Sequence, residues 1–219
     1  LQQFARNMAR PRLLVFLKVP QLGSVKTRLA ATMGPELALA TYRELVATTL
    51  GNLTGLAPAV EVELCFAPDD AGTELAPWLQ PGWRARPQGP GDLGARLARA
   101  FQAAFAEGCP HVIVIGSDCP YLTADDLRAA FEALGRSGVV LGPATDGGYW
   151  LLGMRDFRPE LFGGIDWSTP QVRAQTLARA DAAGLAVTEL RELSDVDTEA
   201  EWCAWQRAAA GPLRLPITA

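Results

Sequence analysis

The chain has 219 residues, 49% of them hydrophobic and 20% charged, with a formal net charge of −4. That length and mix suit one globular domain with a sizeable core, and they exclude a disordered or fibrous chain. No apolar run approaches the roughly 18 residues of a membrane span, and no basic block offers a footprint for nucleic acid.

Residues 1–7 lack the apolar stretch and cleavage site of a signal peptide, and residues 1–11 read as an N-terminal tail ahead of a single domain over 12–219. Residues 12–19 are predicted as a buried strand, and residues 26–50 as one long helix. Residues 60–67 alternate as a second strand, and 83–87 as a brief third. Over 93–106, Leu93, Leu97, Phe101 and Phe105 recur four apart, the apolar face of a helix. Residues 112–115 are almost wholly apolar, as expected of a strand covered on both sheet faces. A helix is predicted over 123–134, where Thr123 and Asp126 have the spacing of a capping box. Val139-Val140-Leu141 and residues 149–153 bracket Asp146-Gly147-Gly148, a strand–turn–strand unit. Helices over 170–183 and 198–209 flank a last strand at 186–190. This alternation predicts an α/β layer fold with a mostly parallel sheet.

Cys65, Cys109, Cys119 and Cys203 show neither a C-x-x-C nor paired zinc spacing. The one histidine, His111, opens the apolar run at 112–115, which favours a structural place at a strand edge over a catalytic or zinc-binding role. Reduced thiols in a cytoplasmic setting are the default.

In an open α/β sheet, ligands bind beyond the carboxyl ends of the strands, and four loops there stand out. The first, from Lys18 to Arg28, holds both lysines of a chain with 20 basic residues, together with Gly23 and Thr27. Positive charge at a helix start opposes the macrodipole unless an anion lies there, so the loop is expected to hold phosphate. Val25 stands where a Walker A loop needs glycine, so that motif is excluded. The second loop, Gln88 to Arg96, spells G-x-G-x-x-G, but in mid-chain and after a doubtful strand. Binding of a nicotinamide dinucleotide is not expected there; nucleotide contact and plain capping by Asp92 stand about even.

The third loop, Gly116-Ser117-Asp118-Cys119-Pro120-Tyr121-Leu122, places a carboxylate where a hard cation can bridge it to phosphate oxygens. The alternative is a turn aspartate satisfied by neighbouring amides. The fourth feature is a pair of segments, Gly142 to Tyr149 and Ile165 to Pro170. With Ser194 to Thr198 they would bring hydroxyls and a second carboxylate to the same cleft, although each stretch also fits hairpin or capping chemistry.

Taken jointly, these blocks resemble a bacterial family of small glycosyltransferase-like proteins with the GT-A, nucleotide-diphospho-sugar transferase fold, some of them assigned to arsenosugar biosynthesis. The matching residues run in order along most of the chain. They are Phe16 to Pro20 with Gly23, Lys26, Thr27, Arg28 and Leu29; then Gln88, Gly91, Asp92, Leu93, Gly94 and Arg96; then Gly116 to Leu122. Gly142-Pro143, Thr145 to Tyr149, Trp167-Ser168-Thr169 and Asp195-Val196-Asp197-Thr198 complete the set. The family is also similar to the guanylyltransferases that activate phospholactate or phosphoenolpyruvate.

The resemblance implies a three-layer α/β/α sandwich with a mostly parallel mixed sheet. It implies nucleotide across Lys18, Pro20, Gly23, Lys26, Thr27 and Arg28 and across Gln88, Gly91, Asp92, Leu93 and Arg96. The acceptor is then expected at Thr145, Gly147, Gly148, Tyr149, Trp167, Ser168 and Thr169. Asp118 takes the place of the metal-binding aspartate and Asp197, or Asp195, that of the second carboxylate, for Mg²⁺ or Mn²⁺. Catalysis falls to Lys26, Asp118 and Asp146. The expected partners are a nucleotide-sugar or nucleoside triphosphate and a small-molecule acceptor. The chain carries Ser117-Asp118 rather than Asp-x-Asp, as in the nucleotidyltransferase branch. A glycosyltransferase-like reaction is the first expectation, nucleotidyl transfer to a small phosphorylated acceptor the alternative, and a non-catalytic nucleotide-binding protein a third.

Overall fold

A computed structural model of the chain describes residues 10–56 and 59–210. Most of the expected tail, residues 1–9, lies outside the described residues, as do residues 211–219 of the expected domain. In chain order the elements are β1 (Arg12–Lys18), α1 (Thr27–Met33), α2 (Pro35–Asn52), β2 (Glu61–Ala67), β3 (Arg84–Pro87), α3 (Leu93–Ala106) and β4 (Val112–Gly116). They continue with α4 (Ala124–Leu134), β5 (Val139–Pro143), β6 (Tyr149–Met154), α5 (Val172–Ala182), β7 (Val187–Glu189) and α6 (Glu199–Ala209). Among the described residues the strands form one sheet in the order β3-β2-β1-β4-β6-β5-β7. β6 runs antiparallel to both of its neighbours, and every other pairing is parallel.

The period-two alternation of the strands builds the three layers. Leu13, Val15 and Leu17 of β1, with Ile113 and Ile115 of β4, pack against Tyr42, Val46 and Leu50 of α2 and Leu127 and Leu134 of α4. Leu14, Val112 and Val114 turn to the other side and meet Leu97, Phe101 and Ala104 of α3 and Ala180 of α5. A smaller cluster joins Leu29 of α1, Ala38 and Leu45 of α2, and Trp202 and Trp205 of α6. The result is the expected α/β/α sandwich. No helix of the described residues is long and apolar enough to cross a membrane.

Three sequence expectations need correction. The helix expected over 26–50 is two helices, because Gly34 adopts φ 83° and ψ 157° and Pro35 opens α2 at its first position. The helix expected from Pro170 begins at Val172; Thr169 Oγ1 accepts the Gln171 N–H at 3.3 Å and donates to Asp166 O at 2.7 Å, which holds Thr169 in the preceding turn. Leu93 is 41% exposed although its spacing places it on the apolar face of α3. The doubtful third strand does form, as edge strand β3. The capping box at Thr123 and Asp126 is present, and a second closes between Thr198 and Glu201 on α6.

Candidate active site at the carboxyl edge of the sheet

The parallel strands β1, β2 and β4 deliver their carboxyl ends to one edge, where two adjoining clefts open. The larger, about 740 Å³, is lined by Phe16, Leu17, Lys18, Val25, Lys26, Thr27, Arg28, Tyr42, Gln88, Gly91, Asp92, Leu93, Arg96, Gly116, Ser117, Asp118, Ser168 and Asp197. The smaller, about 410 Å³, is lined by Arg28, Leu93, Asp146, Gly148, Tyr149, Trp167, Ser168, Thr169, Pro170, Val172, Asp195 and Asp197. Arg28, Leu93, Ser168 and Asp197 belong to both and mark their junction.

Lys26 stands at that junction. Its Nζ donates to Asp118 Oδ2 at 2.9 Å and to Asp197 Oδ1 at 2.6 Å, with the side chain 4% exposed. Burial alone would lower the ammonium's pKa, but the charges of Asp118 and Asp197 outweigh it and raise the pKa. Lys26 therefore stays protonated. Its backbone sits at φ 48° and ψ 51°, the left-handed region that L-residues avoid. Asp118 and Asp197 thus do converge, across 79 residues of sequence, and an ammonium lies between them. Arg28 Nη1 approaches the other Asp197 oxygen at 3.6 Å. Because α1 has only seven residues, charge at this loop comes from side chains more than from a long helix dipole.

Asp195 is drawn into the same cluster. Burial pushes its carboxyl up, to about 7; the negative charges of Asp118, Asp146 and Asp197 add to this, and Lys26 opposes it. Asp146 holds its turn by accepting the Gly148 N–H on Oδ1 at 2.8 Å.

The second loop is rigidly tied. Gln88 is buried, and its Nε2 donates to Leu17 O at 3.2 Å and Cys65 O at 2.8 Å, bridging the ends of β1 and β2. Arg99 donates to Gln88 O and Pro90 O, and Arg96 to Gly91 O. Asp92 caps α3 by accepting the Ala95 N–H at 2.8 Å, which puts a carboxylate where a dinucleotide pyrophosphate would have to sit. The last glycine of the G-x-G-x-x-G serves packing instead. A Cβ on Gly94 would lie 2.1 Å from Trp167 Nε1.

Several expected site residues stand back from both clefts. Pro20, Gly23, Thr145 and Gly147 line neither one. Gly23 is exposed and needs its φ of 77° for the loop turn. Thr145 Oγ1 donates to Ser194 Oγ at 3.1 Å, and a Cβ on Gly147 would lie 2.3 Å from Pro170 O, so both join the β5–β6 turn to neighbouring loops.

Tyr42 escaped the sequence reading. Its hydroxyl accepts the Lys18 N–H and donates to Lys18 O, both at 2.9 Å, and lies 3.3 Å from Ser117 Oγ. It locks the end of β1 to the loop that carries Asp118. A lone tyrosine in an apolar helix pattern reads as core, and nothing local reveals where its hydroxyl goes.

Among the described residues, no group of three His, Cys, Asp or Glu side chains is arranged to hold a metal ion by itself. The donor set at the junction nonetheless suits a hard cation that also takes phosphate and water. Asp118 and Asp197 are 35% and 39% exposed, and each directs only one oxygen at Lys26. The four cysteines are free thiols; burial pushes those of Cys65, Cys109 and Cys119 up, away from reactivity.

Comparison with known proteins places this architecture. A phosphoenolpyruvate guanylyltransferase of Sphaerobacter thermophilus is 30% identical over 203 residues, covering 86% of this chain and 89% of the relative. A solved structure from Desulfovibrio desulfuricans G20, described as a "putative nucleotide-diphospho-sugar transferase", superposes with a TM-score of 0.86 at 33% identity, over 94% of this chain and 90% of its own. The glucosyl-3-phosphoglycerate synthase of Mycobacterium tuberculosis, in complex with Mn²⁺, UDP and glucosyl-3-phosphoglycerate, shares the fold at 14% identity and a TM-score of 0.51, over 88% of this chain and 72% of its own. Residues 52–169 match the family described as "Uncharacterized protein conserved in bacteria (DUF2064)", a span that takes in the Gln88, Asp118, Asp146 and Trp167 blocks. This chain belongs to that family and is a transferase of the nucleotide-diphospho-sugar transferase fold.

Proposed function

We propose that the protein transfers a glycosyl group from a nucleotide-activated sugar to a small acceptor, with a divalent cation as cofactor. The observation that carries this reading is the junction itself, where Lys26, Asp118 and Asp197 stand between a large cleft rimmed with basic residues and a smaller one rimmed with hydroxyls and carboxylates. The donor nucleotide occupies the large cleft, its phosphates near Lys18, Lys26 and Arg28. Asp118 and Asp197 (or Asp195) would hold Mg²⁺ or Mn²⁺, which supplies charge stabilisation to the diphosphate. Lys26 adds a fixed positive charge beside the departing phosphate oxygens, an electrostatic role already oriented before substrate arrives. Asp146 takes the acceptor's proton, and Trp167, Ser168 and Thr169 orient the acceptor body.

A second reading is nucleotidyl transfer, favoured by the guanylyltransferase relative with its 89% coverage. There an acceptor phosphate attacks the α-phosphate of a nucleoside triphosphate in line, and pyrophosphate leaves. Lys26 would serve the same charge in both.

The test is thermal stabilisation by a panel of nucleoside triphosphates, diphosphates and nucleotide-sugars with Mg²⁺, then turnover of the hits. The expected outcome is stabilisation that chelation with EDTA removes and that Lys26→Ala abolishes, with nucleoside diphosphate as the released product. Release of pyrophosphate from a triphosphate would select the second reading. A protein stabilised by no nucleotide would end both.

A further inference from the structure

We infer that the acceptor is a small hydroxyl compound that bears no phosphate or carboxylate and presents an apolar flank; this rests on the reading of the larger cleft as the donor site. The two clefts differ in charge. The larger is lined by Lys18, Lys26, Arg28 and Arg96 against Asp92, Asp118 and Asp197. The smaller has Arg28 as its one cationic lining residue, against Asp146, Asp195 and Asp197. Even Arg28 is turned toward Asp197, at 3.6 Å, and Lys26 is held by Asp118 and Asp197. An acceptor phosphate would add nearly two negative charges beside the acidic side chains of Asp146, Asp195 and Asp197, and the one lining cation that could meet it, Arg28, is shared with the donor cleft. A divalent cation entering with the donor leaves this balance negative, because the donor diphosphate brings its own charges with it.

Part of the smaller cleft's lining is apolar, and its construction is specific. Leu93 stands 41% exposed in the mouth of both clefts. Trp167 lies across α3 where only glycine at position 94 leaves room for the indole, and Tyr149, Pro170 and Val172 continue the surface. An exposed leucine beside an indole in a cleft of about 410 Å³ fits the apolar face of a small molecule. The carboxylates that line the same cleft suit hydroxyl donors. In the transfer, the acceptor O–H gives its proton to the Asp146 carboxylate, and its oxygen bonds to the anomeric carbon of the donor sugar. The bond from that carbon to the diphosphate oxygen breaks, and the electron pair leaves with the nucleoside diphosphate.

A matched pair of probes tests this: phenyl glucoside and phenyl glucoside 6-phosphate, titrated into the intact protein with and without nucleoside diphosphate and Mg²⁺. The neutral glucoside is expected to bind about tenfold more tightly, or better, than its phosphate. The double substitution Asp146→Asn with Asp195→Asn is expected to close most of that gap, which a merely structural role would not do. Equal or tighter binding of the phosphate, or binding of neither compound, overturns the inference. Selectivity that persists without nucleotide, in a protein that no nucleotide stabilises, would sink the donor reading and leave the acceptor inference standing.

Discussion

Lys26 holds a left-handed backbone conformation that an L-residue disfavours, while its Nζ bonds two carboxylates. A left-handed L-residue costs roughly 1–2 kcal/mol, a cost that glycine does not share. Two substitutions therefore separate charge from strain. Lys26→Ala removes the ammonium and keeps the strain; Lys26→Gly removes both. Both variants are expected to lose nucleotide-dependent stabilisation, while the glycine variant unfolds in urea with about 1 kcal/mol more stability than the alanine variant. Equal stabilities would show that the strain is relieved elsewhere. The sequence made Lys26 conspicuous, since lysine occurs only twice among 20 basic residues. Positions at strand ends put Asp118 and Asp197 in the same cleft, but nothing local showed that Lys26 would bond both, from 92 and 171 residues away. Pairings of that separation are made by the sheet, which brings strand ends together without regard to distance along the chain. The hydroxyl of Tyr42 was hidden for the same reason.

At the level of elements, most of the chain was legible because helix and strand periods are written locally. The bounds of α3 follow from the Asp92 cap and the four-residue spacing, and the apolar run at 112–115 gives β4. The break at Gly34-Pro35 was missed because the apolar pattern continues across it, and β3 stayed doubtful because an edge strand of four residues carries little pattern. Leu93 misled for a physical reason: a leucine at a cleft mouth has the same spacing as one in the core. Gly94 shows how tertiary contact overrides local propensity. In an ordinary exposed helix, Gly→Ala gains about 0.5–1 kcal/mol. Here a Cβ would come within 2.1 Å of Trp167 Nε1, so Gly94→Ala must displace the indole or part α3 from the Ile165–Pro170 loop. The expected result is a loss of stability of about 1–3 kcal/mol, the range for overpacking, together with a red-shifted tryptophan emission. A stabilised variant with unchanged emission would mean that Trp167 does not rest on α3.

Across the whole molecule, two sets of acidic groups pull the pH dependence of stability in opposite directions. At the starts of β1 to β3, on the sheet edge away from the clefts, Arg12, Arg84 and Arg86 meet Glu61, Glu63 and Glu107. Partial burial would raise the Glu107 carboxyl, but bonds from Arg12 and Arg86 hold it down at about 2, and Arg12 and Arg10 lower Glu61. A carboxylate lowered in the folded state contributes stability that is present above its unfolded pKa, about 4.3, and is lost as pH falls toward 2. Asp195 behaves in the reverse sense. Its folded carboxyl, pushed up to about 7, keeps a proton that the unfolded chain has released above about 3.9. Its contribution therefore declines as pH rises from about 4 to 7, so the acidic cluster opposes the gain from the arginine network. His111, lowered by burial and by Arg155, adds stability as pH climbs toward 6.5 and partly masks that decline in the parent protein. Asp195→Asn removes the decline, because asparagine keeps the shape and never ionises. The Tm difference between variant and parent should be small at pH 4, grow through pH 5 and 6, and level off above 7. Each kcal/mol recovered corresponds to about 2–4 °C for a domain of this size. A difference that stays constant from pH 4 to 8 would mean that Asp195 ionises in the folded protein as it does in the unfolded chain.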